Sequence, residues 1–143
     1  MTACPDTPIA LLGALETSWE VRRVIRHADG AVARFSGQAV WTYADQGWRS
    51  VETGRLWQEA ASFEARRETL WDVDGNGFLV RFGDGRPFHR IGPGMRPEAM
   101  HDCPPDTYRL RYDFTAWPSW SVRWHMIGPR KAYRALTRYH RGV

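Results

Sequence analysis

Four side chains that can bind metal ions or move protons lie close together in the sequence, between residues 101 and 108. The segment reads HDCPPDTY, and the four are His101, Cys103, Asp106 and Tyr108. A neighbouring cation lowers the pKa of a thiol, so His101 could hold Cys103 as a nucleophilic thiolate. Asp106 or Glu52 could orient the histidine. The segment is therefore a candidate active site with an acid, a base and a nucleophile.

The same segment supports two other interpretations. Residues two apart in an extended chain point the same way, so His101 and Cys103 could reach one ion together. Zinc would need a further ligand, such as His89, Asp106 or His125, and the paired C-x-x-C that is typical of zinc sites is absent. We therefore predict neither a metal site nor a cofactor. In the structural interpretation, Cys103 is a small buried residue and the prolines stiffen a loop before a strand.

A second group of polar residues lies between apolar neighbours along the chain. A charge that points into a protein core must be paired, because burying an unpaired charge is costly. Such residues would form an internal network or bind an anionic head group, and ordinary surface placement is the alternative. They are Glu52, Arg66, Arg86, Lys131 and Tyr133.

The composition indicates one ordinary globular domain, residues 1–143, with residues 1–7 as a flexible leader. Hydrophobic residues make up 43% of the 143, and aromatic residues are numerous, with eight Trp, five Tyr and six Phe. The net charge of +4 comes mostly from arginines that alternate with apolar residues along the chain. This alternation is typical of solvated strand faces, and we predict no nucleic-acid binding.

Cysteine usage and hydropathy predict a cytoplasmic protein. Cys4 and Cys103 are the two cysteines, which is too few for a disulfide scaffold. The apolar run 9–15 is short and lacks a basic segment before it, so it does not resemble a signal peptide. No run approaches the ~20 apolar residues that span a bilayer.

The elements that must position these residues are one helix followed by many short strands. Asp6 or Thr7 can cap a helix that starts at Pro8, with Ile9, Leu12 and Leu15 on one face. After residue 17 the apolar period changes to two, and the clearest strand is 108–114. Turn signals separate the strands at 28–30, 45–47, 74–77, 84–85, 117–119 and 128–129.

One segment, Leu56 to Leu70, has the residue types of a helix but the setting of a hairpin. Ala60, Ala61 and several Glu and Arg residues favour a helix by propensity. We predict two strands that meet near residues 61–62, because hairpin signals flank the segment and Phe63, Ala65 and Arg67 alternate. Nine or ten short antiparallel strands can hide their edges by closing, so we predict an all-β up-and-down barrel, with a sandwich as the alternative.

Several motifs resemble those of a family of small bacterial proteins with a domain of unknown function. Asp84 to His89 form a D-G-R-x-F-H strand, His101 to Tyr108 an H-x-C-x-x-D-x-Y loop, and Trp124 to Lys131 a W-x-x-x-G-P-x-K turn. Trp19 with Arg23 and the E-x-G step at residues 52–54 belong to the same pattern. The resemblance covers nearly the whole chain.

More distantly, the chain resembles calycin barrels, which include lipocalins and fatty-acid-binding proteins. That resemblance implies a Trp on the first strand, Trp19, stacked against an Arg on the last strand, Arg138 or Arg141. It also implies a small-molecule ligand, because an Arg and Tyr pair holds the anionic group in fatty-acid-binding barrels. By a similar resemblance to nitrobindin-like barrels, a histidine such as His89, His125 or His140 could bind haem.

These observations predict a binding barrel for an amphipathic or anionic apolar small molecule. Its predicted ligand-binding residues are Glu52, Arg66, Arg86, His89, Tyr112, Trp124, Lys131 and Tyr133. An enzyme that uses His101, Cys103, Asp106 and Tyr108 at the barrel mouth, or a metal- or haem-binding barrel, is the alternative. The sequence leaves open whether the protein is an enzyme and whether it forms a homodimer.

Overall fold

The computed structural model describes residues 3–44 and 47–141. Its strands are rich in aromatic and β-branched side chains that alternate with polar ones, which suits a half-buried sheet. The elements are α1 (Pro8–Leu15), β1 (Ser18–His27), β2 (Val32–Ala44), β3 (Gly47–Gln58), β4 (Ala61–Asp74), β5 (Gly77–Phe82), β6 (Pro87–Ile91), β7 (Glu98–Cys103), β8 (Asp106–Asp113), β9 (Trp120–Ile127) and β10 (Ala132–Arg141).

The strands form one antiparallel sheet with the order β6-β5-β4-β3-β2-β1-β10-β9-β8-β7. Pairing of β1 with β10 brings the first and last strands together. The two edge strands, β6 and β7, lie next to each other without forming a ladder, so the sheet curls into a nearly closed barrel. The predicted all-β up-and-down barrel is confirmed.

The two ends of the barrel differ. At the end where β1 begins, which we call the helix end, Leu12 and Leu15 of α1 are fully buried. The indole Nε1 of Trp19 donates to the carbonyl of Leu15 at 3.0 Å. The Arg141 guanidinium lies 5.2 Å from the centre of a Trp19 ring, while Arg138 is exposed. Arg141 is therefore the arginine that stacks on the first-strand tryptophan.

Helix α1 begins as predicted and buries two of the three residues of the predicted apolar face, Leu12 and Leu15. The side chain of Thr7 accepts a hydrogen bond from the amide of Ala10 at 3.3 Å, and Pro8 occupies the first turn. Leu11 is buried with Leu12 and Leu15, whereas Ile9 is 64% exposed. The predicted stripe is wrong at Ile9, because the helix turns Leu11 toward the barrel.

Tertiary pairing overrides helix propensity in the segment Leu56 to Leu70. β3 and β4 pair continuously up to Gln58 and Ala61, so the hairpin turn lies two residues before the predicted position. Phe63, Ala65 and Arg67 share the inward face of β4. The predicted turns at 28–30, 74–77 and 84–85 all connect strands. The predicted turn at 45–47 includes residues 45 and 46, which lie outside the described residues.

Candidate functional site

The interior of the barrel is packed solid in its helix-end half. Trp120 stacks on Tyr139 with ring centroids 3.9 Å apart, and Trp41 packs edge-on against Trp71 at 5.7 Å. The cavity that these rings share with Glu52, Arg67 and Trp124 is about 20 Å³, which is enough for about one water molecule. Indole nitrogens of Trp41 and Trp120 are buried there without a hydrogen-bond partner among the described residues. In the part of the chain that the structure describes, the interior from the helix end up to Arg67 and Trp124 therefore contains no cavity large enough for an organic ligand.

A buried carboxylate, that of Glu52 on β3, organises the middle of the barrel. It accepts hydrogen bonds from Arg23 at 2.7 Å, from Arg67 at 3.1 Å and from the hydroxyl of Tyr139 at 3.0 Å. Arg23 also donates to the hydroxyl of Thr137 at 2.7 Å. Four strands, β1, β3, β4 and β10, are therefore joined through one charge network, which we call the Glu52 network.

The Glu52 network carries one more positive than negative charge. Burial alone would raise the pKa of Glu52, but the charges of Arg67 and Arg23, with the hydrogen bonds from Arg23 and Tyr139, hold that pKa below its ordinary value. One carboxylate therefore balances two guanidiniums. The side chain of Arg67 is 37% exposed against 12% for Arg23, so Arg67 is the less covered of the two arginines.

A neutral histidine lies beside this network. His89 is buried on β6, and its Nε2 lies 2.8 Å from the hydroxyl of Tyr112. Burial, with smaller contributions from the charge of Arg67 and from His101, lowers the pKa of His89 to about 3. Burial also raises the pKa of the Tyr112 hydroxyl. Both groups therefore stay uncharged at neutral pH and bond to each other.

The opposite end of the barrel, which we call the open end, is less filled. It is bounded by the hairpins β1–β2, β3–β4, β5–β6, β7–β8 and β9–β10. Inward-facing side chains here are only partly covered: Tyr133, Tyr108, His101 and Trp124 are half-buried, and Phe63 is 47% exposed. We call this set of partly covered aromatic and polar side chains, above the Glu52 network, the funnel.

One contact connects the funnel to that network, and a second lies within the funnel itself. The Arg67 guanidinium lies over a Trp124 ring at 4.9 Å from its centre. Tyr133 packs against His27 at 5.8 Å between ring centroids, and burial together with the neighbouring Tyr108 raises the pKa of Tyr133 to about 12. The Tyr133 hydroxyl therefore remains protonated at neutral pH and can donate a hydrogen bond.

The predicted ligand-binding residues divide by the face of the sheet on which they lie. Those that face the interior are Glu52, His89, Tyr112, Trp124 and Tyr133. Arg66 is exposed and pairs with Glu68 at 3.1 Å. Arg86 is exposed and pairs with Asp84 at 2.7 Å within its own hairpin, and Lys131 is exposed in the turn before β10.

Residues 101–108 form the β7–β8 hairpin at the open end. His101 points inward and packs among Phe82, Phe88 and Tyr108, with ring centroids 5.4 to 6.0 Å away. Cys103 is exposed, so the interpretation of it as a buried apolar residue is wrong. The reason is its place at the last residue of β7, beyond the cover of the opposing strands.

The carboxylate of Asp106 lies against Gly128 of the next turn, where an added Cβ would collide with it. Cys103 and Asp106 are backbone partners in the β7–β8 ladder, as are His101 and Tyr108, but among the described residues no side-chain hydrogen bond joins any two of the four. The hairpin therefore contributes His101 and Tyr108 to the wall of the funnel.

Four residues of the Glu52 network escaped the sequence-based site: Arg23, Arg67, Thr137 and Tyr139. The sequence signal that could have identified one of them is the position of Arg67 in the apolar–polar alternation of β4. In the alternation Phe63, Ala65, Arg67, the arginine at 67 shares the apolar face, whereas Arg66 lies on the opposite one. Because side chains alternate with a period of two, moving one position along a strand moves a residue from solvent to core.

Across residues 3–44 and 47–141, His, Cys, Asp and Glu side chains form no group of three that could hold a metal ion. Of the three histidines considered for haem, His89 is inside the barrel, and His140 is exposed with its Nδ1 3.0 Å from Ser119 Oγ. His125 lies on the outer face of β9. Among the described residues, no helix is long and apolar enough to cross a membrane.

Comparison with known proteins identifies a fold and a family. An S-type phycobiliprotein lyase, CPES from Guillardia theta, is similar in structure with a TM-score of 0.69, over 94% of this chain and 92% of that one, at 9% sequence identity. At that identity the likeness shows the barrel fold. No curated protein sequence matches the chain. Residues 15–141 match the family described as "Family of unknown function (DUF6314)", and the chain therefore belongs to that family.

Proposed function

We propose that this protein binds a small amphipathic anion through the open end of its barrel. The observation that carries the proposal is the contrast between the two halves of the interior. From the helix end up to Arg67 and Trp124, the inward-facing side chains leave a cavity of only about 20 Å³. At the open end, aromatic side chains that face inward are still partly exposed, which costs free energy unless a ligand covers them.

The polar end of the ligand would meet Arg67. This guanidinium is only partly neutralised, because Glu52 is shared with Arg23. A carboxylate or sulfonate that approaches from the funnel can complete the charge balance and accept hydrogen bonds from Arg67 and from the hydroxyl of Tyr133 or Tyr108. Ligand charge and site charge are thus complementary.

The apolar part of the ligand would occupy the funnel above the Glu52 network. Phe63, Trp124 and Phe82 offer aromatic surface there. The packed helix end sets the depth, so the ligand reaches the network and does not pass it. Barrels of this strand number commonly hold one small ligand, and the similar fold of a phycobiliprotein lyase supports a binding role for this architecture.

The proposal is tested with 1-anilinonaphthalene-8-sulfonate, an apolar anion whose fluorescence rises in apolar sites. We expect saturable binding to the folded protein with one site per chain. An Arg67→Gln substitution should weaken this binding about tenfold, because it removes a charge-assisted hydrogen bond. Dodecanoate should displace the probe more strongly than dodecanol, since only the former carries the anionic group.

Arg66→Gln is the matched control, since it removes the same charge one residue away on the outer face. The comparison distinguishes Arg67, which faces the interior, from Arg66, which the sequence pattern predicted as a ligand-binding residue. Equal loss of probe binding in both variants, or equal displacement by dodecanoate and dodecanol, would refute an anion site at Arg67. Urea unfolding of each variant shows whether it remains folded.

A further inference from the structure

The outer face of four adjacent strands, β1, β10, β9 and β8, carries a dense group of arginines. Arg26 pairs across strands with Arg134, Arg134 with His125, and His125 with Arg109. Two residues along β9, Arg123 is opposite Arg111, and four residues along β10 from Arg134, Arg138 is opposite Arg22. The barrel therefore brings together arginines that are far apart in the sequence.

These arginines line a groove of about 640 Å³, whose floor contains the paired apolar residues Val24 and Leu136. Six arginines and one histidine border it, and no acidic side chain does. Its volume is in the range of sites for small organic ligands. With strands about 4.8 Å apart, the charged rows extend roughly 14 Å across the sheet.

Several of these guanidiniums form no ion pair within the described part of the chain. Among residues 3–44 and 47–141, the side chains of Arg26, Arg109, Arg123, Arg134 and Arg138 form neither an ion pair nor a hydrogen bond. Like charges directly opposite each other in a sheet are destabilising. The fold tolerates this repulsion at three registered pairs of cross-strand neighbours, Arg26–Arg134, Arg22–Arg138 and Arg111–Arg123.

We propose that this groove, which we call the arginine groove, binds a compact polyphosphate anion. Guanidinium groups match the geometry of phosphate oxygens and form two parallel hydrogen bonds to them. Acidic residues limit the length of the ligand. Glu98 holds Arg111 at 2.7 Å on the β7 side, and Glu20 holds Arg22 at 3.0 Å near the helix end. An extended polyanion would meet these carboxylates.

The arginine groove is on the outside of the barrel, so the proposal is independent of the site in the funnel. The probe is inorganic tripolyphosphate, titrated calorimetrically into the purified protein at low and at physiological ionic strength. We expect binding that weakens with salt, and an at least tenfold loss of affinity in the triple variant Arg123→Gln, Arg134→Gln, Arg138→Gln.

The matched control removes three charges from other outer strands by Arg49→Gln, Arg55→Gln and Arg90→Gln, and should bind like the wild type. The groove variant should be at least as stable in thermal unfolding, because it relieves repulsion; loss of binding then cannot come from unfolding. ATP tests the same groove with a nucleoside attached, and tighter binding than tripolyphosphate would assign Val24 and Leu136 to the base.

Two results would overturn the proposal. One is equal loss of tripolyphosphate binding in both triple variants, which would reflect net charge alone. The other is tighter binding of a single-stranded oligonucleotide longer than the groove, which would indicate an extended nucleic-acid backbone as the ligand.

Discussion

At the scale of single residues, Glu52 determines the character of the interior. The residue is only 4% exposed, and its carboxylate accepts hydrogen bonds from Arg23, Arg67 and Tyr139. Removing one partner of a buried ion pair strongly destabilises the fold, because the other charge is left buried without a counterion. Glu52 therefore keeps two guanidiniums inside the barrel, and in the proposed function one of them, Arg67, meets the ligand.

We expect Glu52→Gln to lower the free energy of unfolding by about 3 kcal/mol at neutral pH, since it leaves two guanidiniums without a counterion. Glu20→Gln, which breaks an exposed pair with Arg22, should cost less than about 1 kcal/mol. Urea titrations of both variants against the wild type measure the difference. Similar, small losses in both would mean that the network contributes little to folding.

The same comparison has a defined pH dependence. The pKa of Glu52 is lower in the folded protein than in the unfolded chain, so its stabilisation is complete above the unfolded pKa and is lost as the pH falls through the folded value. The stability gap between wild type and Glu52→Gln should thus be constant at neutral pH and shrink in acid, below about pH 4. If the stability difference between wild type and Glu52→Gln grew in acid, the pKa of Glu52 would be raised in the folded protein, not lowered.

At the scale of elements, two strands approach each other unusually closely at a pair of glycines. Gly37 of β2 is opposite Gly54 of β3, and a Cβ on Gly54 would meet the Cα of Gly37 at 2.7 Å and Phe35 Cζ at 2.9 Å. Glycine inside a strand often marks such a backbone approach. The pair lets β2 and β3 pack closely beside the open end.

Gly54→Ala should therefore destabilise the protein by more than about 2 kcal/mol, because backbone atoms would have to move. Gly13 provides a control of opposite sign, since it lies inside α1 with no atom within 4 Å of an added Cβ. Gly13→Ala should stabilise by about 0.5–1 kcal/mol through helix propensity. Thermal unfolding of the two variants would contradict this account if both shifted the same way.

At the scale of the whole molecule, the barrel has a closed helix end, an open end, and the arginine groove on its outer face. Helix α1, Trp19 and Arg141 close the first end, so access to the interior is from the opposite hairpins. The funnel and the arginine groove are then two separate surfaces, one inside the open end and one on the outer sheet. A single chain can present both because side chains alternate across the sheet.

The contribution of α1 to the stability of the helix end can be tested by substituting Leu15. Leu15→Ala should cost about 3 kcal/mol of stability, because the side chain is fully buried between α1 and the barrel. Ile9→Ala, on the exposed face of the same helix, should leave stability nearly unchanged. If Leu15→Ala were equally neutral, α1 would not be an integral part of the barrel's end.

Much of the architecture follows from local sequence alone. Alternation of apolar and polar residues predicts the strands, and turn residues such as Asp29-Gly30 and Asp84-Gly85 predict the hairpins. Even Leu56 to Leu70, whose composition favours a helix, is correctly assigned to two strands once its alternation is considered. These are short-range properties, since side-chain period and turn chemistry act over a few residues.

The site depends on contacts that no local pattern contains. The Glu52 network joins residues 23, 52, 67 and 139 through the register of four strands, and a shift of one position would exchange Arg67 for Arg66. The arginine groove likewise consists of residues that alternate unremarkably in the sequence and become neighbours only when β1 pairs with β10. The sequence by itself determined the strands, turns and capped helix. Tertiary structure decided which charges meet, because barrel closure sets the cross-strand neighbours of every residue.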